Sequence, residues 1–238
     1  FTSSQYKDAI KLNCDFIKIA SMDLNNYDFL NEVSKSKISL IISTGFSNES
    51  EIIRASKIIK KNNKKNVIFL HCISLYPPKN ENSINLDNMN RIKKLTGFEV
   101  GFSDHTIWKE TPLAAAALGA KVIEKHFTFN KKAIGWDHSV SANLKEMKNL
   151  VYMSKKFYKL KGNSKRTLTP DEIKKSKIMR RSITIKKTKN KNSIIKFEDL
   201  DLQRPGKGIE PINLKYFINR KLKKKIYSGN LLKKTDVY

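Results

Sequence analysis

Four histidines occur in the chain, at His71, His105, His126 and His138. Two of them follow strand-like runs of similar make-up: His105 closes GFSDH and His126 closes VIEKHF, 21 residues later. Imidazole can ligate a metal or exchange a proton near neutral pH, so two such residues at strand ends form a candidate reactive pair. Side chains alternate along a strand, which puts Ser103 with His105 and Glu124 with His126. Parity alone does not say which side faces a site. Lys18 is a charge inside the apolar run FIKIAS, an expensive placement unless a partner is supplied. Ser21, Ser43 and Ser103 also stand where apolar runs end. His71 reads as a satisfied core histidine and His138 receives no role. Cys72 reads as packing, with nothing in its neighbouring sequence to lower a thiol pKa.

These residues need a scaffold. Five nearly continuous apolar runs read as buried parallel strands: FIKIAS (16–21), ISLIIST (38–44), NVIFLHC (66–72), EVGFSD (99–104) and KVIEKHF (121–127). Helix-like segments follow each. Asn25 or Asn26 could cap the first and Ser47 or Asn48 the second, where Glu51 completes a capping box. The third covers 85–95, the fourth 111–118 with Pro112 in its first turn, and the last is the amphipathic LKEMKNLVYMSKKFYKL. This alternation implies βα units on a parallel sheet. Residues 1–163 form that domain, 164–181 a linker or crossover arm, and 182–238 a small β-rich module punctuated by Pro205, Gly206, Gly208 and Pro211.

Composition bounds the rest. The 238 residues carry 48 Lys and Arg against 22 Asp and Glu, a formal charge of +26. Only seven of the 48 are arginine, and the lysines run the whole length without interleaved aromatics. A nucleic-acid-binding protein is therefore the rival reading from another class, and not the favoured one. The field would still attract an anionic substrate. Two cysteines make no disulfide framework, no apolar run is long enough to span a bilayer, and no leader begins the chain, so the expected compartment is the cytoplasm.

Seven motifs occur in order: KIAS, ISTG, HC-x-x-x-YP, GFSDH, ALGA-x-VIEKHFT, RRS and RPG-x-GI. Together they resemble the sialic acid synthases, the PEP-dependent N-acetylneuraminate and legionaminate synthases. That resemblance implies an α/β fold, a (β/α)8 TIM barrel of which only strands 4–8 are present, followed by a β-rich SAF (antifreeze-like) domain. Five strands cannot close a cylinder, so the expectation is a chain lacking its first three βα units and poorly folded alone.

The resemblance implies condensation of phosphoenolpyruvate (PEP) with an N-acylmannosamine, N-acetylmannosamine foremost, giving a sialic acid and phosphate. Legionaminate or pseudaminate synthesis is the neighbouring alternative. His105 and His126 would ligate a divalent metal, Mn2+ or Mg2+. Lys18, Ser21, Ser43, Ser74, Ser103 and Arg180 would hold PEP. Asp23, Tyr76, Asp137 and Arg204 would hold the sugar, and Glu124 and Asp137 would be catalytic. Trp136 stands in GWDH where relatives carry proline, which alters that loop's backbone constraint. Arg204 would reach the site from the other subunit of a domain-swapped homodimer.

Overall fold

The computed structural model describes residues 3–238. Its contacts divide the chain into two units, one ending at Asn163 and one beginning at Ser164.

The first unit is built on a five-stranded parallel sheet: β1 (Phe16–Ile19), β2 (Ser39–Ser43), β3 (Val67–Cys72), β4 (Glu99–Asp104) and β5 (Ile123–Lys125), ordered as in the sequence. All five apolar runs thus become strands, and the sequential order with helical crossovers is that of part of a βα barrel. The helices are α1 (Ser3–Lys11), α2 (Tyr27–Ser34), α3 (Glu49–Lys61), α4 (Asn88–Thr96), α5 (Glu110–Ala117) and α6 (Leu144–Lys161). Local chemistry sets their ends. Asn26 caps α2, accepting from the Phe29 amide. At α3 the Asn48 side chain accepts from the Glu51 amide at 3.0 Å while the Glu51 carboxylate accepts from the Asn48 amide at 2.8 Å. Asn143 and Glu146 repeat that box at α6. Gly97 ends α4 in the left-handed region, φ 71°, its amide donating to the Lys93 carbonyl.

Ile19, Leu40, Ile42, Phe69, Val100 and Phe102 from the sheet pack with Leu30, Val33, Ala55, Ile59, Met89 and Ile92 from the helices, all nearly inaccessible to solvent. Each large side chain in that set contributes about 1.5–3 kcal/mol by leaving water. The seam between β4 and β5 is tight. The Phe102 amide donates to the Val122 carbonyl and the Lys121 amide to the Val100 carbonyl. A Cβ on Gly101 would collide with that same Val122 carbonyl, so only glycine fits there.

The second unit begins with α7 (Pro170–Met179), inside the segment expected to be a linker. Thr169 and Glu172 form its capping box, with Pro170 in the first turn. Antiparallel β6 (Ser182–Ile185) and β7 (Leu200–Gln203) follow, with a separate core of Ile183, Ile185, Ile195, Leu200, Phe217, Leu222, Ile226, Leu232 and Val237.

Candidate active site

At the C-terminal ends of β1–β5 lies a cleft of about 810 Å3. Its lining includes Lys18, Ser21, Ser43, Ser74, Tyr76, Ser103, His105, Glu124, His126, Trp136 and Asp137. The parallel sheet explains the convergence: every strand ends on the same side, and each contributes one or two polar groups there. Asp23 lies on the turn after Ser21 and does not line the cleft. Arg180 and Arg204 belong to the second unit, where Arg180 pairs with Glu210 at 3.1 Å and Arg204 Nε donates to the Met179 carbonyl.

The sheet register sets the faces. Ser103 is opposite Glu124 and Asp104 opposite Lys125. Ser103 Oγ donates to Glu124 Oε1 at 2.8 Å, and Lys18 Nζ stands 3.1 Å from the other carboxylate oxygen. The Lys18 charge therefore has its partner across the sheet, Glu124, and both reach into the cleft. Ser43 presents a different case: its hydroxyl is buried and makes no hydrogen bond. An orphaned hydroxyl at a strand end facing a polar cleft is an expensive feature unless a ligand supplies the partner.

The two imidazoles lie 5.2 Å apart, centre to centre, and the Tyr76 ring packs 4.0 Å from that of His105. His105 Nδ1 is 3.0 Å from the Ile73 carbonyl. A carbonyl only accepts, so Nδ1 carries the hydrogen and the lone pair sits on Nε2. His126 Nδ1 is 3.7 Å from Asp137 Oδ2. Burial acts to lower the His105 pKa, but the Cys72 thiol and the Ile73 carbonyl outweigh it and hold it above the ordinary value. For His126 burial prevails and holds the pKa low, with the Asp137 charge opposing. Tyr76 is raised by burial and by the negative charges around it.

Cys72 corrects the sequence reading. Burial pushes its thiol up, yet hydrogen bonds from His105, Ser74 and Ser21 overcome that and leave it below the ordinary value. Ser21 Oγ donates to Cys72 Sγ at 3.6 Å and accepts from the Gly45 amide at 3.1 Å, while Ser74 Oγ lies 3.4 Å from the sulfur. Ser74 follows on the same strand end, but Ser21 and His105 come from two other strand ends, which the local sequence around Cys72 does not reveal. Gly45, from ISTG, has no room for a Cβ between Ser74 and Ser21. His71 is buried on the opposite face, donating to the Ile84 carbonyl at 2.7 Å, as a core histidine does. His138 Nδ1 pairs with Thr128 Oγ1 at 2.8 Å.

Among the described residues no group of three or more His, Cys, Asp or Glu side chains is arranged as a complete metal cage, and no helix is long and apolar enough to cross a membrane. The side chains at the cleft that could donate to a divalent ion are the imidazoles of His105 and His126 and the carboxylates of Glu124 and Asp137.

Known proteins share this arrangement of elements. The chain is 36% identical to N,N'-diacetyllegionaminic acid synthase of Campylobacter jejuni, with 88% of this chain and 63% of that protein covered. It is 33% identical to pseudaminic acid synthase of the same species, with 92% and 63% covered. The chain therefore spans less than two thirds of the length of these curated relatives. Among solved structures it superposes, at TM-score 0.69 and 34% identity, on N-acetylneuraminic acid (sialic acid) synthetase from Leptospira borgpetersenii serovar Hardjo-bovis in complex with citrate, over 74% of this chain and 61% of that one. The NeuB family matches residues 1–166, which include every strand of the parallel sheet and every residue lining the cleft. The chain belongs to the NeuB family.

Proposed function

We propose that the protein condenses PEP with an N-acylmannosamine-type sugar, N-acetylmannosamine foremost, to give a sialic acid and phosphate. The observation that carries this reading is one cleft gathering Lys18 and the serines 21, 43, 74 and 103 beside the imidazoles of His105 and His126. Cationic and hydroxyl donors suit a phosphate ester, and Ser43 offers a buried hydroxyl without a partner. Relatives named for neuraminic, legionaminic and pseudaminic acid all resemble the chain, so the sugar class is supported more broadly than any one sugar.

His105 and His126 would hold a divalent ion, Mn2+ or Mg2+. The fit rests on donor chemistry: the Ile73 carbonyl fixes the His105 tautomer with its Nε2 lone pair free, and two nitrogen donors leave most of a coordination sphere to water and substrate. A bound ion supplies Lewis acidity toward the sugar's aldehyde oxygen. Lys18 and the serine hydroxyls hold the phosphate of PEP in a preorganised, partly dry site. C3 of PEP then bonds to the aldehyde carbon, water adds at C2, and collapse of that carbon expels phosphate and leaves the 2-keto acid. Glu124, already gripped by Lys18 and Ser103, orients the water, and Asp137 and Tyr76 hold sugar hydroxyls at the mouth. Asp23, Arg180 and Arg204 complete the site in this reading, Arg204 from the partner in a homodimer that exchanges the C-terminal SAF-type unit. Three further βα units encoded upstream would close an eight-stranded barrel, and the cytoplasm is the compartment in which we place the reaction.

The test is phosphate release from PEP plus N-acetylmannosamine by the protein extended through its upstream codons. Release that requires both the sugar and Mn2+, and that stops with a chelator, supports the reading. Release unaffected by the chelator removes the metal from it, and no release with any N-acylated hexosamine refutes the condensation.

A further inference from the structure

The residue before each imidazole has a part of its own. Asp104 precedes His105 and Lys125 precedes His126, and the register sets them opposite each other on the face of β4 and β5 turned away from the cleft. Their side chains are 0% and 10% exposed and pair at 2.8 Å. The second carboxylate oxygen of Asp104 accepts from the Thr106 amide at 2.9 Å, and Lys125 Nζ also donates to the Thr106 carbonyl at 2.5 Å. The ion pair thus closes around the residue that follows His105, while Lys125 is bonded directly to His126. β5 is three residues long and pairs with β4 on one side only among the described strands. Beyond Lys125 the next tie is the Ala142 amide donating to the His126 carbonyl at 2.8 Å.

Burying a charged pair brings a desolvation cost that two well-packed apolar residues would avoid, so burial here is weak evidence for a role in stability. It does fix geometry. We propose that Asp104 and Lys125 are positioning residues that set the separation and tilt of the two imidazoles, holding them ready for one metal ion. This rests on the reading of His105 and His126 as the metal's protein ligands. The pair touches neither substrate nor metal. It acts through the backbone of Thr106, just beyond the end of β4, and of His126, just beyond the end of β5.

The experiment measures Mn2+ affinity from the free-ion EPR signal, with melting followed by circular dichroism, for the wild type, Asp104→Asn, the double variant Asp104→Leu/Lys125→Met, and His105→Ala. Loss of an outer partner to a metal-binding histidine weakens binding about 10- to 100-fold. The expected result is a weakening of that size in Asp104→Asn and in the double variant, the latter melting no lower than wild type. The double variant keeps the test open where the single one, left with an uncompensated buried Lys125, fails to fold. A folded double variant that binds Mn2+ as tightly as wild type overturns the positioning role while leaving the histidines as ligands, provided His105→Ala loses the ion. Undiminished binding by His105→Ala removes the metal reading and this inference with it.

Discussion

In the C-terminal unit the buried Ser182 hydroxyl donates to the Pro205 carbonyl at 2.7 Å and accepts from the Gly208 amide at 2.9 Å. At the cleft, the equally buried Ser43 hydroxyl has neither. Thr184 Oγ1 likewise donates to the Asp201 carbonyl, and Lys189 pairs with Asp199, so the small unit commits these polar groups internally. The cleft keeps donors and lone pairs in reserve: the Ser43 hydroxyl and His105 Nε2. Polar groups of the same types hold a fold together in one region and stand ready for a ligand in the other. The partners each group already has tell the two apart.

The largest effect expected from this contrast is on the small unit's core. Phe217 is fully buried there, and Phe217→Ala should cost that unit about 3–5 kcal/mol in chemical denaturation. Mn2+ affinity at the cleft should be unchanged, because the proposed ligands His105 and His126 lie in the other unit. A parallel fall in affinity would show that the two regions are not energetically separate.

The serine pair sharpens the comparison at smaller scale. Ser182→Ala should destabilise the protein by about 1–3 kcal/mol, since it strands a carbonyl and an amide. Ser43→Ala removes an unpaired hydroxyl and should leave the melting temperature unchanged or higher. Its affinity for PEP should fall about tenfold to a hundredfold, the worth of one hydrogen bond to a charged group. The opposite pattern, with Ser43→Ala destabilising and binding PEP normally, would make Ser43 an ordinary structural serine.

The smallest effect is electrostatic and exposed. Glu172 is held down to about 2 by the Arg166 guanidinium and by the Thr169 amide at the start of α7. Its folded pKa lies below its ordinary value of 4.5, so its contribution is present above that value and is lost as pH falls through about 2. An NMR titration of the carboxyl carbon should find a midpoint near 2, rising in Arg166→Ala. A midpoint near the ordinary value in the unaltered protein would mean that the cap is open in solution.

Much of this was legible in the sequence. The five strands follow from continuous apolar runs, and the caps at Asn26 and Asn48 from short-range chemistry that needs no tertiary context, whereas the equivalent box of Asn143 and Glu146 went unread. The α7 helix was missed although its signal, TPDE at 169–172, is an N-cap, a first-turn proline and a capping-box glutamate. Lysines and Pro170 around it favoured a linker reading. Alternation paired Ser103 with His105 and Glu124 with His126, but only the register of β4 against β5 brings Asp104 onto Lys125. Cys72 was misread for the same reason: Ser21 is 51 residues away in the chain and His105 is 33 away. Local pattern exposes elements and strand-end residues. What a side chain meets across the sheet depends on register, which the linear sequence does not display.

The central claim is that His105 and His126 together hold one divalent ion at the cleft. It is tested most directly by electron spin-echo measurement of nitrogen couplings to bound Mn2+. Couplings from two imidazole nitrogens are expected, reduced to one in His126→Ala. Mn2+ bound with no nitrogen coupling, or with couplings unaltered by that substitution, would contradict it.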